Sequence, residues 1–212
     1  MKAQMKFQKY ICIALIIVGA LALFYAFSYC TGSMSELGQT INETTGKSYF
    51  IARPGKNDAL LFKEIQSFNT MLMYFGIIMI LLSVLLFITS CHRRRNYYIS
   101  NYVATGVCAG GNIVLSIVAM IMNGIWKGEF LNVDFERWLE YYDKRQEARP
   151  DVVVQYHYSD STVMFDLGYA VYLLVIVVSL VLILNLVWKI MLMKGEKKLL
   201  SANVLSPGGE LA

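Results

Sequence analysis

Four uninterrupted apolar stretches, residues 10–29, 69–90, 101–125 and 163–188, decide what this chain can become. Each is long enough to cross a bilayer as a helix, at about 20 residues per crossing. A soluble core does not require its apolar residues to be gathered into blocks. The charged fraction points the same way: it is 16%, against about a quarter in an ordinary soluble domain. The expected fold is one all-α polytopic membrane domain, a bundle of four transmembrane helices. Two segments of nearly 40 residues, 30–68 and 126–162, join the helices on one side and are expected to build a small α/β extracytoplasmic cap. Residues 1–9, 91–100 and 189–212 form the short N-terminus, a turn and the tail on the other side.

Charge sorting sets the orientation. Lys2, Lys6, Lys9, Arg93, Arg94, Arg95, Lys189, Lys194, Lys197 and Lys198 all flank block ends on one side of a four-pass path, opposed only by Glu196 and Glu210. The positive-inside rule makes that side, with both termini, cytoplasmic. The formal net charge of +4 is therefore a topology signal. It is not a nucleic-acid footprint, because no basic segment is interleaved with exposed aromatics. The first block competes with a secretory signal peptide, since Ala26-Phe27-Ser28 resembles a cleavage site. Its apolar run is longer than a usual signal core, so we read it as a retained helix with Cys12, Gly19, Ala22 and Ala26 on one packing face. Plasma membrane is the expected location.

The third block is apolar without being uniformly so. Asn101, Thr105, Cys108, Asn112, Ser116 and Asn123 fall within a sector roughly 80° wide at about 100° per residue, with Ala119 among them. On the far side Gly106 and Gly110 make a small-xxx-small pair that lets another helix approach closely. In the second block Asn69, Gly76, Ser83 and Ser90 recur every seven residues, a spacing suited to a left-handed antiparallel pair. The short 91–100 turn makes these two helices neighbours. The small or polar faces are expected to meet there and hydrogen-bond, with Gly76, Ser83, Gly106 and Gly110 as close-contact positions.

The segments outside the blocks carry local signals. Residues 47–52 read as a strand closed by Arg53-Pro54-Gly55, and Asn57 or Asp58 caps a helix that leads into the second block. The stretch before residue 47 reads as irregular. Asn42-Glu43-Thr44 is a formal N-glycosylation acceptor. Trp126 and Lys127 are interface anchors. Residues 132–145 read as an amphipathic helix whose Phe135, Trp138, Tyr141 and Tyr142 would face a partner. Residues 152–158 read as a second strand, expected to pair with the first. Ser161 or Thr162 caps the fourth helix. Asp166 sits in its first turn, where the helix dipole favours an acid; ion or proton linkage is its functional alternative. Asn185 is an interhelical hydrogen bonder. Residues 201–212 read as a disordered tail.

Chemistry-bearing constellations are missing. His92 and His157 lie on opposite sides, so they cannot share a metal or a haem. Cys30 has no partner on its side, and no CxxC occurs. The loop acids follow the spacing of a solvated helix face. No enzyme activity, cofactor, metal, nucleic acid or small-molecule substrate is expected. Two functions remain. One is a non-catalytic structural or auxiliary subunit that packs beside another membrane protein, or beside copies of itself. The other is a homo-oligomeric channel or transporter component whose polar stripe lines a conduit. Uncharged amides and hydroxyls are what ordinary helix packing uses, which gives the first reading precedence. The layout is similar to that of claudins, connexins and tetraspanins. The chain lacks the first-loop Trp and paired cysteines of the first, the cysteine triplets of the second and the Cys-Cys-Gly of the third. The likeness is therefore one of layout and carries no function.

Overall fold

A computed structural model of the chain describes residues 2–31, 39–42, 48–50, 58–91, 99–132, 144, 147, 152–154 and 162–204. In chain order its elements are α1 (Lys2–Thr31), β1 (Gln39–Asn42), β2 (Ser48–Phe50), α2 (Asp58–Cys91), α3 (Ile99–Leu131), β3 (Val152–Val154) and α4 (Val163–Val204). Four helices are long and apolar enough to span a membrane, over Ala3–Phe27, Phe68–Cys91, Ile99–Glu129 and Val163–Glu196. They form a four-helix membrane bundle, the architecture of an integral membrane protein.

The helices outrun the apolar blocks. α1 begins at Lys2, running through the basic leader, because Lys, Gln, Met and Ala are good helix formers and Gln4 and Gln8 are buried. α4 continues to Val204. The basic 194–198 segment and the first residues of the expected disordered tail are thus helical, and residues 205–212 lie outside the described residues. Thr162 stands at the start of α4, its carbonyl accepting from Asp166 N at 3.1 Å.

By contacts the chain divides into two units, and each helix contributes to both. The first comprises Met1–Val18, Met79–Val114 and Leu174–Ala212; the second comprises Gly19–Ile78 and Leu115–Leu173. In the first unit the buried side chains include Gln4, Gln8, Ile11, Cys12 and Leu15 of α1, and Met79, Ser83, Leu86 and Ser90 of α2. Asn101, Thr105, Cys108 and Asn112 of α3 and Val175, Ser179, Leu182, Asn185 and Lys189 of α4 complete them. In the second unit Ala22, Tyr25, Ala26, Phe68, Asn69, Leu72, Ser116, Ala119, Asn123, Phe165 and Tyr172 are buried. The exposed positions are Leu, Ile, Val and Phe: Ile17, Phe24, Leu81, Leu85, Val107, Ile121, Leu173 and Leu184 among them. A water-soluble bundle sorts its side chains the other way round. Apolar outside and amide or hydroxyl inside is the arrangement lipid selects, since a polar side chain must find its partners within the protein.

The three strands form one antiparallel sheet in the order β2-β1-β3. Thr40 pairs with Tyr49 on one side and with Val154 on the other. The expected direct pairing of 47–52 with 152–158 is thus corrected. Each pairs with β1, a stretch expected to be irregular, whose Thr40-Ile41 centre is β-branched and accepts a strand on either edge. A combined α/β cap is not supported. The strands are three or four residues long, and the amphipathic helix expected over 132–145 lies outside the described residues apart from Asn132 and Lys144. The Asn42-Glu43-Thr44 site falls beyond them at Glu43 and Thr44.

Candidate functional site

The densest polar chemistry lies in the first unit, where side chains from all four helices share one hydrogen-bonded cluster. α1 supplies Gln4 and Gln8, one turn apart and therefore on one face. Gln4 Nε2 donates to Gln8 Oε1 at 3.1 Å and to Asn185 Oδ1 at 3.3 Å. Gln8 Nε2 donates to Ser90 Oγ at 2.9 Å and to Asn101 Oδ1 at 3.2 Å. Asn101 returns the contact to α2: its Nδ2 donates to Thr89 Oγ1 at 2.9 Å and to Ser90 Oγ at 3.5 Å. Ser90 in turn donates to the Leu86 carbonyl at 2.8 Å.

Lys189 completes the cluster from α4. Its side chain is fully buried, its Nζ donates to Asn101 Oδ1 at 2.6 Å, and it lies 4.4 Å from the centroid of the Tyr102 ring. A charged donor makes a hydrogen bond roughly twice as strong as a neutral one, and the ring face adds a cation–π attraction. Asn101 Oδ1 therefore anchors both the ammonium and the Gln8 amide. Buried Asn185 Nδ2 has no hydrogen-bond partner among the described residues. Amides and hydroxyls at these separations hold helices in register.

Along the rest of the stripe the bonds turn back into α3 at Thr105 and Asn112, and Asn112 Oδ1 and Ser116 Oγ have no hydrogen-bond partner among the described residues. All six predicted residues of α3, Asn101, Thr105, Cys108, Asn112, Ser116 and Asn123, are buried, each at 1% exposure or less. Thr105 Oγ1 donates to the Asn101 carbonyl at 2.6 Å. Asn112 Nδ2 reaches Cys108 Sγ at 3.8 Å, and Ser83 Oγ lies 4.0 Å from the same sulfur. In the second unit Asn123 Nδ2 donates to the Phe165 carbonyl at 2.7 Å. Tyr25 OH donates to the Met164 carbonyl at 3.1 Å and lies 3.5 Å from Asn123 Oδ1. Gly168 leaves the space that the Tyr25 ring fills, and Tyr172 meets that ring edge to face at 6.1 Å.

The predicted glycines separate. Gly76 is buried against α1: a Cβ there would lie 2.9 Å from the backbone of Leu23. Gly106 and Gly110 are exposed, with nothing within 4 Å of an added Cβ, so no helix among the described residues packs on them. Asp166 is 56% exposed and forms an ion pair with Lys127 at 2.6 Å, while Thr162 Oγ1 donates to its other oxygen at 3.1 Å. Phe135, Trp138, Tyr141 and Tyr142 lie outside the described residues.

Reading the sequence missed Gln4, Gln8 and Lys189. The first two were counted with a basic leader, and the third as a flanking charge. The signal was available in the spacing. Gln4 and Gln8 extend the Ile11, Leu15, Val18, Ala22, Tyr25 series at alternating steps of four and three. Lys189 ends the seven-residue series Gly168, Val175, Leu182. No family model, curated protein or solved structure matches the chain. The fold and the buried cluster thus define the class by themselves, an integral membrane protein of four helices.

Proposed function

We propose that this chain is a non-catalytic tetraspan subunit of a membrane complex in the plasma membrane, with both termini in the cytoplasm. It would act by helix packing and by its two non-cytoplasmic loops, with the aromatic residues of 132–145 meeting a partner. The observation that carries this reading is the burial of the whole α3 stripe inside a single chain. Asn101 and Asn123 at its two ends bond to other helices of the same chain, and Thr105 and Asn112 bond within α3, which supports a seam over a conduit between copies. The exposed Gly106–Gly110 face supports association, because it is small and no helix among the described residues packs on it. The occupant would be a helix of another membrane protein or of a second copy. The exposed Lys6 and Lys194, with Arg93–Arg95, support the orientation; Lys189 no longer counts, being interior.

Cysteine accessibility tests the reading. Single cysteines placed along 101–123 in a chain otherwise free of cysteine should stay inert to a water-soluble maleimide at all six stripe positions. Labelling at every third or fourth residue would establish a conduit instead. The mass of the detergent-solubilised complex, compared with Gly106→Leu and Gly110→Leu variants, tests the association: a mass that never exceeds one chain in native lipid would sink it.

A further inference from the structure

We propose that the α1–α4 edge around Phe7, Tyr10 and Trp188 is a binding ledge for the headgroup of an anionic phospholipid, with Lys6 and Lys194 as its cationic contacts. The inference rests only on the chain lying in a membrane, and not on the subunit reading above.

Phe7 of α1 and Trp188 of α4 meet edge to face with ring centroids 6.2 Å apart, in the first unit. The Gln4–Asn185 hydrogen bond ties the same two helices at the same level. Both rings remain on the surface, Phe7 at 42% and Trp188 at 41% exposure, and Tyr10 stands out at 68%. Aromatic side chains in this half-covered state sit at headgroup depth, where the ring body contacts acyl chain and glycerol. Lys6 and Tyr10 lie four residues apart and so share a face of α1, and Lys6 is exposed. A lysine stem follows apolar surface and carries its ammonium toward water, which here places the Lys6 charge on the water side of the rings. Lys194 is exposed as well, six residues beyond Trp188, about 9 Å further along α4 and about a third of a turn round it, so it flanks the rings and its long stem carries the charge back toward them.

Charge complementarity selects the occupant. Among the described residues the charges at this end are the exposed Lys6 and Lys194 and the half-buried Lys9 against a half-buried Glu196, a cationic excess that a zwitterionic headgroup does not balance and an anionic one does. Lys189, which the sequence would add to this set, is instead turned inward to Asn101. The ledge thus depends on the two exposed lysines. Each is expected to contribute about fivefold in preference for an anionic over a zwitterionic lipid.

Brominated-lipid quenching tests this on the intact chain in vesicles. The chain has three tryptophans, so Trp126→Phe with Trp138→Phe leaves Trp188 as the only reporter. Dibrominated phosphatidylglycerol should compete for Trp188 at least fivefold better than dibrominated phosphatidylcholine. Lys6→Gln with Lys194→Gln should return the ratio to about one. A companion chain keeping only Trp126 should show no preference. Equal quenching at Trp188 overturns the proposal, as does a preference that survives loss of both lysines or recurs equally at Trp126. Should the tryptophan variants fail to fold, native mass spectrometry of the unaltered chain decides the matter. Retained phosphatidylglycerol must exceed retained phosphatidylcholine and fall in the double lysine variant; retention without that selectivity overturns the ledge.

Discussion

Asn101 joins four helices through one amide. Its oxygen takes the Lys189 ammonium and the Gln8 amide, and its nitrogen reaches Thr89 and Ser90. Replacing it by leucine removes the acceptor and leaves a buried charged donor and a buried amide without it, at an expected loss of about 2–3 kcal/mol. Lys189→Met keeps the stem volume and removes the charge that needs the acceptor, so it should cost clearly less. The double variant should then lose less than the sum of the two, the mark of a direct pair. Thermal unfolding followed with a thiol-reactive dye measures all three, because Cys12 and Cys108 are buried and report unfolding while exposed Cys91 gives the background. Strict additivity would show that the Lys189–Asn101 bond does not hold the cluster. The Lys127–Asp166 pair is of another kind, with side chains 27% and 56% exposed. Water screens it, so Asp166→Asn should leave the unfolding midpoint nearly unchanged, and any small loss should vanish in high salt. A large, salt-independent loss would restore the ion-linked role.

The helices themselves differ in period. In α1 the buried positions Gln4, Gln8, Ile11, Leu15, Val18, Ala22 and Tyr25 alternate steps of four and three, as do Asn69, Leu72, Gly76, Met79, Ser83, Leu86 and Ser90 in α2. That is a seven-residue repeat, which favours left-handed packing. The α3 stripe instead repeats every eleven residues: Asn101, Asn112 and Asn123, then Thr105 with Ser116 and Cys108 with Ala119. An eleven-residue period keeps one face of a nearly straight helix turned inward, which is why all of these side chains are buried. Existence of the helices and the inward edge of α3 were legible in the sequence because lipid leaves the apolar blocks and the polar edge little alternative. Glycine roles were not legible, since spacing reports that a close approach is allowed and never says which neighbour makes it. The nearest atoms to a Cβ at Gly76 belong to Leu23 of α1, while Gly106 and Gly110 have nothing within 4 Å among the described residues. Substitution should therefore split by position. Gly76→Ala must move backbone and should lose about 1–3 kcal/mol as an overpacked site. Gly110→Ala should gain about 0.5–1 kcal/mol from reduced backbone freedom in the unfolded chain. The same thermal assay reads both, and equal effects would contradict the packing described here.

For the whole molecule the decisive fact is that side-chain polarity runs opposite to that of a soluble bundle. Lys189, Gln4, Gln8 and the asparagines are interior, while isoleucine, leucine, valine and phenylalanine make up much of the exterior. Such a chain cannot keep this surface in water without aggregating, and in lipid it gains no hydrophobic drive to bring its helices together. Interior hydrogen bonds and close contacts such as Gly76 on Leu23 must do so. The same logic fixes the path. Among the described residues four helices are long and apolar enough to span, an even number, so the proposed topology predicts that Lys6 and Lys194 are reached from the same compartment. Glu129, exposed at the far end of α3, must be reached only from the opposite one. Single cysteines at Lys6, Lys194 and Glu129, labelled with an impermeant maleimide in inverted and in right-side-out vesicles, test this directly. The first two should react in inverted vesicles alone, and the third in right-side-out vesicles alone. If all three patterns are exchanged, the crossings stand and the cytoplasmic assignment of the basic end fails. If Lys6 and Lys194 react from different sides, one helix does not cross, and a buried cluster drawn from all four helices at one membrane level could not exist.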